Sequence, residues 1–359
     1  MATVAAWMLG LLLLSVLAGP ELPWHRNWYR WDADSYEAIW ASGYLAKPHL
    51  IAFPPLFSLL SGSLASLTTL PFHIAAMALN AACVLASTWL LTRIISAQFG
   101  LPAGFSVAAL MTAPAAYFLL ASYSDALFLY VFLHIMWLVG KNPRQLSRGE
   151  HVLLLLLLFC APLVRVTGAV FVLLLLLGRW QALAAGAGGM VWMSLNHSLT
   201  GNALAFMEIQ SLFGMPEGHL LDGARDAWQG LVSASAASLG DLGWWQRHLL
   251  PCLALGLALP LLLWLAWQRQ WAWLIVITAL ILVSHNQAFW RSVVRYDLPL
   301  WPLLPLPWVA LWQHWQADAP RRPLVLSLAP AALIAGLLLV GGVLQFINAQ
   351  LFLRGGWTF

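Results

Sequence analysis

Apolar residues in this chain come in long runs, and polar residues are largely confined to the short breaks between them. A helix needs about 20 apolar residues to cross a bilayer. The pattern predicts segments near 4–19, 51–70, 73–95, 104–121, 125–140, 151–164, 167–178, 181–199, 249–267, 271–289, 298–316 and 323–346. The runs are leucine-rich and continuous rather than alternating, which argues against a β-barrel. The expected fold class is an all-α polytopic membrane protein, one integral membrane domain over 1–359.

Some segments read differently from a plain span. Residues 51–70 carry Pro54-Pro55 and several Ser, Gly and Thr, and are expected to be re-entrant or interfacial. Residues 151–164 and 167–178 are each too short to cross alone. They form either one long helix with Arg165 buried in it or a hairpin with Arg165 at its tip. The N-terminal run lacks the basic stretch of a signal peptide and is read as an uncleaved first span. Two longer polar stretches remain, a first outer loop over 20–50 and a large outer loop over 200–248. Within the first, Asp34, Glu37, Ile39, Trp40 and Gly43 predict a short interfacial helix, with Asp34 as its cap and Glu37 completing a capping box. Gly43 ends it and Pro48 stops any continuation.

Charge chooses between the two readings of Arg165. With the hairpin and a cytoplasmic N-terminus, Arg93, Lys141, Arg144, Arg148, Arg179, Arg269, Arg321 and Arg322 all fall inside, with Glu150 and Asp318 as the inside acids. The other acids fall outside, among them Glu208, Glu217, Asp222, Asp226 and Asp241 of the large loop. This is a positive-inside distribution, so the hairpin is preferred. The outer face then holds Asp32, Asp34, Asp125, Asp297, Arg165, Arg291 and Arg295.

Composition sharpens the question. Only 8% of residues are charged and 62% are hydrophobic, with mean hydropathy +0.80. A soluble domain carries about 25% charged residues. The net charge of +4 is small and scattered, which gives no footprint for nucleic acid. Cys83, Cys160 and Cys252 sit in apolar runs without metal or redox spacing. No His pair has metalloprotease spacing, and no glycine-rich phosphate loop is visible.

Against this background a few polar residues call for explanation. Asp32 precedes the expected cap, in extended chain beside Trp31, and a partly desolvated carboxylate suits a general base. Its bland alternative is a solvated loop acid or a partner for Arg30. Asp125 either caps the next helix or belongs to a site. Arg165 is a charge at membrane depth, costly and therefore a functional candidate, with a structural salt bridge as its rival. Arg291 and Arg295, four residues apart, share a helix face and could hold a phosphate jointly, although Arg295 could instead pair with Asp297. Tyr296 beside them is also an ordinary interfacial residue.

Taken in order, these pieces resemble the glycosylphosphatidylinositol mannosyltransferase 2 family, in particular its bacterial relatives, within the glycosyltransferase C superfamily. The matching islands are Arg30-Trp31-Asp32-Ala33, Gly43-Tyr44, Ala52-Phe53-Pro54-Pro55-Leu56-Phe57, Tyr123-Ser124-Asp125-Ala126-Leu127-Phe128, Arg165 with Gly168, and Arg295-Tyr296 ahead of Pro299. The chain departs from the family pattern at Pro54, Asp125 and Ser35, where Phe, Glu and His are common. The resemblance implies a multi-span bundle in a bacterial inner membrane, working on its outer face. It implies a polyprenyl-phosphate-linked sugar donor, often mannose, and an inverting single displacement with Asp32 as base. Arg165, Arg295 and Arg291 would then hold donor phosphate with Tyr296 beside them, while Asp34 and Asp125 would support a lipid or glycan acceptor or a divalent ion such as Mg²⁺ or Mn²⁺. The rival expectations are a transporter or flippase for lipid-linked sugars and a non-catalytic subunit of an envelope-assembly complex.

Overall fold

The computed structural model describes residues 2–18, 23–209, 222–239, 241–285, 293–317 and 324–356. The described residues are mostly helical, with no strand among them. The main helices are α1 (Ala2–Ala18), α2 (Asp32–Ser42), α3 (Leu56–Thr68), α4 (Phe72–Phe99), α5 (Gly104–Thr112), α6 (Asp125–Val139), α7 (Arg148–Val164) and α8 (Leu183–Thr200). After them come α9 (Asp222–Val232), α10 (Leu250–Trp267), α11 (Trp271–His285), α12 (Leu306–Ala317) and α13 (Leu324–Leu353). The helices Phe72–Phe99, Trp245–Trp267 and Leu328–Leu353 are each long and apolar enough to cross a membrane alone. The chain is an integral membrane protein.

Hydrogen bonds between distant segments fix which helix ends lie together. At one end, Gln98 donates to the Met136 carbonyl, Trp273 donates to Gln98, and Lys141 pairs with Glu150. Arg179 donates to the carbonyls of Val139 and Lys141, at 2.6 and 2.9 Å. Arg165 meets Asp125 at the other end. The chain therefore runs away from Asp125 along α6, returns along α7, and reverses again at Arg165. This is the hairpin that charge favoured. The reversal is tight because Gly168 folds back onto the turn, where a Cβ would collide with the Ala161 and Pro162 backbone.

The return limb of that hairpin shows how a short segment covers the distance. Val166–Leu177 is a 3-10 helix of 12 residues. At about 2.0 Å per residue it extends about 24 Å, where an α-helix of the same sequence would reach about 18 Å. Its partner α7 opens with the Ser147–Glu150 capping box, both halves formed.

Two expected spans are not continuous helices. The run 104–121 gives only α5 before Pro114 ends it, and 113–124 continues as a buried, mostly irregular segment with one 3-10 turn, Ala116–Leu119. Such backbone is tolerated inside a membrane protein only where protein groups satisfy it. Here Asn80 donates to the Ala121 and Tyr123 carbonyls, and Asn348 donates to that of Pro114. The run 298–316 likewise begins as turns and a short 3-10 piece, Trp301–Leu303, before α12. Segment 51–70 becomes α3, whose 13 residues extend about 20 Å, short of a bilayer core of about 30 Å.

An acid and arginine cluster formed from four segments

α2 begins at Asp32, not at Asp34 as the sequence suggested. The reason lies in the backbone. Trp31 adopts φ 50 and ψ −113, turning the chain so that the carbonyls of Arg30 and Trp31 accept from the amides of Ala33 and Asp34. No side-chain cap is needed. A non-glycine residue at positive φ costs on the order of 1–3 kcal/mol and persists only where its surroundings hold it. Here the strain sits immediately before the carboxylate of interest. Gly43 closes the helix at φ 73, as expected.

Side-chain packing then fixes α2. Tyr36 is buried, its ring edge-on to Phe53 at 5.3 Å and to Phe57 at 4.9 Å, and its hydroxyl lies 2.9 Å from Ser124 Oγ. Burial pushes the Tyr36 phenol up to about 12, so it stays neutral. The Phe53-Pro54-Pro55 bend thus supplies a wall for the acid loop, and Tyr44 donates to the Phe53 carbonyl at 2.8 Å to hold it.

Four charged side chains meet at this point. Arg295 Nη1 donates to Asp32 Oδ2 at 2.9 Å. Arg295 Nε lies 3.2 Å from Asp125 Oδ2, an ion contact without hydrogen-bond alignment. Arg165 Nη1 pairs with the other oxygen of Asp125. Asp125 thus bridges two arginines, and Arg295 bridges two carboxylates. Asp125 sits at the start of α6 but caps nothing, since its oxygens face the arginines. Asp32 is the most open member, with 17% side-chain exposure against 1% for Asp125, and so it is the carboxylate that an incoming molecule can reach.

Aromatic rings line the cluster. The Arg295 guanidinium lies over Tyr123 at 4.7 Å and Phe118 at 5.0 Å, and Arg165 lies over Tyr296 at 4.9 Å. Tyr123 in turn donates to the Arg30 carbonyl at 2.9 Å, tying the irregular segment to the acid loop. Phe352 near the end of α13 packs against Tyr117, Phe118 and Tyr123 beneath them.

Not every expected residue arrives here. Asp34 pairs with Lys47 at 2.9 Å on the exposed surface and accepts from Tyr29 at 3.3 Å. It points away from the cluster because it lies two residues beyond Asp32 on the helix, close to the opposite face. Burial, reinforced by the Glu37 carboxylate, raises the Tyr29 phenol. Arg291 lies outside the described residues. Asp297 does not pair with Arg295. It is buried, accepting from Ser284 Oγ at 3.0 Å with His285 Nε2 at 3.6 Å. Sequence reasoning missed this Ser284, His285 and Asp297 group, and also Asn80. The available signal was a polar side chain inside an apolar run. Among the described residues no three His, Cys, Asp or Glu side chains gather to hold a metal ion.

No family model matches the sequence, and no curated protein does. The fold is similar to that of ArnT from Cupriavidus metallidurans, whose crystal structure contains undecaprenyl phosphate. The TM-score is 0.51 at 13% identity, over 99% of this chain and 76% of that one. The chain shares the helical membrane architecture of this neighbour. A likeness at this identity is one of architecture, and the chemistry rests on the cluster itself.

Proposed function

We propose that the protein is a membrane glycosyltransferase moving a hexose, mannose by the family resemblance, from a polyprenyl-phosphate donor to an acceptor hydroxyl. The observation that carries this reading is the open carboxylate Asp32 hydrogen-bonded to a buried arginine, in a chain whose fold resembles that of an undecaprenyl-phosphate-binding protein. The acceptor oxygen attacks the anomeric carbon as the carbon–oxygen bond to phosphate breaks. The electron pair leaves with the polyprenyl phosphate, the hydroxyl proton goes to Asp32, and the configuration inverts. Arg165 and Arg295 are already oriented by carboxylates and stacked on rings, and they stabilise the charge that grows on the leaving phosphate.

The ion pairs add a sequence to these events. Asp32 Oδ2 accepts from Arg295 Nη1, the same guanidinium assigned to the donor phosphate. Donor phosphate draws the guanidinium toward itself and leaves the Asp32 oxygen free for the acceptor proton. The reaction belongs on the outer face, since the cluster lies at the end of the bundle opposite Arg93, Lys141 and Arg179, and basic ends face the cytoplasm.

Transfer of radiolabelled sugar from polyprenyl-phosphate-mannose, and separately from the glucose donor, into membrane lipid tests the reading. Asp32→Asn is expected to lower transfer by about 10²–10⁴-fold, the range a general base supplies. Full activity in that variant overturns the assignment. Donor crossing vesicles without any glycosylated product indicates transport instead.

A further inference from the structure

At the basic end of the bundle, far from the acid and arginine cluster, α1, α4 and α5 leave a half-open cavity between them. Its volume is about 310 Å³, and its lining includes Thr3, Thr88, Trp89, Thr92 and Arg93. A single water occupies about 30 Å³ of liquid, so the space is several times larger than a water site. We propose that it binds the headgroup of an anionic glycerophospholipid, with the phosphate on Arg93. This is independent of the reaction proposed above.

The first argument is an unmatched cation. The Arg93 guanidinium stacks on Trp89 at 4.7 Å, and among the described residues no carboxylate or carbonyl oxygen accepts from it. Three other arginines among the described residues, at the core or beneath it, are engaged. Arg179 takes two carbonyls, Arg165 takes Asp125, and Arg295 takes two acids. A planar fork with free donors at the rim of a cavity fits phosphate oxygens.

The second argument is the division of hydrogen-bonding roles. Thr88 and Thr92 spend their hydroxyl protons on the carbonyls of Val84 and Thr88, at 2.9 and 2.8 Å. Their oxygens keep lone pairs and act as acceptors. They suit a headgroup that carries hydroxyls, such as glycerol, next to the phosphate that Arg93 holds. The third argument is continuity with lipid. From Arg93 the same face of α4 continues through Trp89, Leu85 and Ala82, all exposed or half-exposed apolar residues along which an acyl chain can lie. A soluble anion has no use for such a strip. Basic pockets between spans at the cytoplasmic side are where anionic headgroups settle.

The test is lipid retention by the full chain in neutral detergent, read by native mass spectrometry. Phosphatidylglycerol, phosphatidylcholine and phosphatidic acid would be supplied as probes. Wild type should retain phosphatidylglycerol about tenfold over phosphatidylcholine: both carry the phosphodiester, but the choline cation offsets its charge beside Arg93 and gives the threonine oxygens no hydroxyl to accept from. Arg93→Ala should bring the two within about twofold, while Arg144→Ala, at the same end but outside the cavity, should leave the ratio unchanged. The isosteric Thr88→Val should weaken phosphatidylglycerol and spare phosphatidic acid, whose headgroup has no glycerol hydroxyls beyond the phosphate. Equal retention by Arg93→Ala and wild type overturns the proposal, as does an equal loss in Arg144→Ala. Displacement of the lipid by millimolar inorganic phosphate would make the occupant a soluble anion and overturn it as well.

Discussion

Replacing Arg295 by Met should damage the fold in a way that a second substitution repairs. The guanidinium lies 2.9 Å from Asp32 and 3.2 Å from Asp125, with 7% side-chain exposure. Opposite charges about 4 Å apart gain about 4 kcal/mol each at an effective dielectric of about 20, so the two contacts amount to about 8 kcal/mol gross. Desolvation of the guanidinium offsets much of this. Removing one partner of a buried pair typically costs about 3–5 kcal/mol, because the remaining charge is stranded. Two acids and two arginines make the wild-type cluster neutral, and the substitution leaves it one negative charge in excess: Asp125 keeps Arg165, while Asp32 loses its partner but can still reach water. We therefore expect Arg295→Met to lose about 3 kcal/mol, the low end of that range, and Arg295→Met with Asp32→Asn, which leaves a neutral cluster with the Asp125–Arg165 pair intact, to recover about half of that. Equilibrium unfolding in mixed micelles, followed by far-ultraviolet circular dichroism, measures both. Transfer activity should stay absent in the double variant, because charge balance restores stability and not the phosphate contact. If the single variant unfolds like wild type, or the double is no better than the single, Arg295 does not sit between the two acids and the cluster is wrongly assembled.

Other expectations follow from particular contacts. Gly168→Ala places a methyl against the Ala161 and Pro162 backbone. It should cost about 1–3 kcal/mol, as overpacking does, and lower activity by moving Arg165; unchanged melting and turnover would refute the tight reversal. Asp297→Ala leaves Ser284 and His285 without their carboxylate. It should cost about 1–3 kcal/mol and raise the donor KM more than it lowers kcat, since Asp297 anchors the turn that presents Arg295. Asp34→Asn should change stability by at most about 1 kcal/mol and leave transfer within about twofold, its Lys47 pair being exposed; a large loss of transfer would place Asp34 in the site after all.

Hydrophobic patterning determined a great deal without any coordinates. Continuous leucine-rich runs fix helices and a membrane, because an apolar backbone segment has no other way to satisfy its amides in lipid. The asymmetry of basic residues fixed the reversal at Arg165, since the alternative would have moved an acid-rich loop to the basic side. Asp32, Asp125, Arg165 and Arg295 were legible as candidates because charge is scarce in this chain and expensive where they lie.

Tertiary structure decided the rest. Asp32 and Arg295 are 263 residues apart, and no local spacing reports that they touch. Asp125 reads equally well as a helix cap until two arginines arrive from elsewhere, and Asp297 reads as a partner for Arg295 until Ser284 and His285 claim it. The broken run at Pro114 is the sharpest case. Its residues are as apolar as any span, but Asn80 and Asn348 on other helices satisfy the backbone that leaves the helix. Hydropathy measures what each residue gains by leaving water. It says nothing about which distant group will accept a proton, a charge or a carbonyl once it is inside.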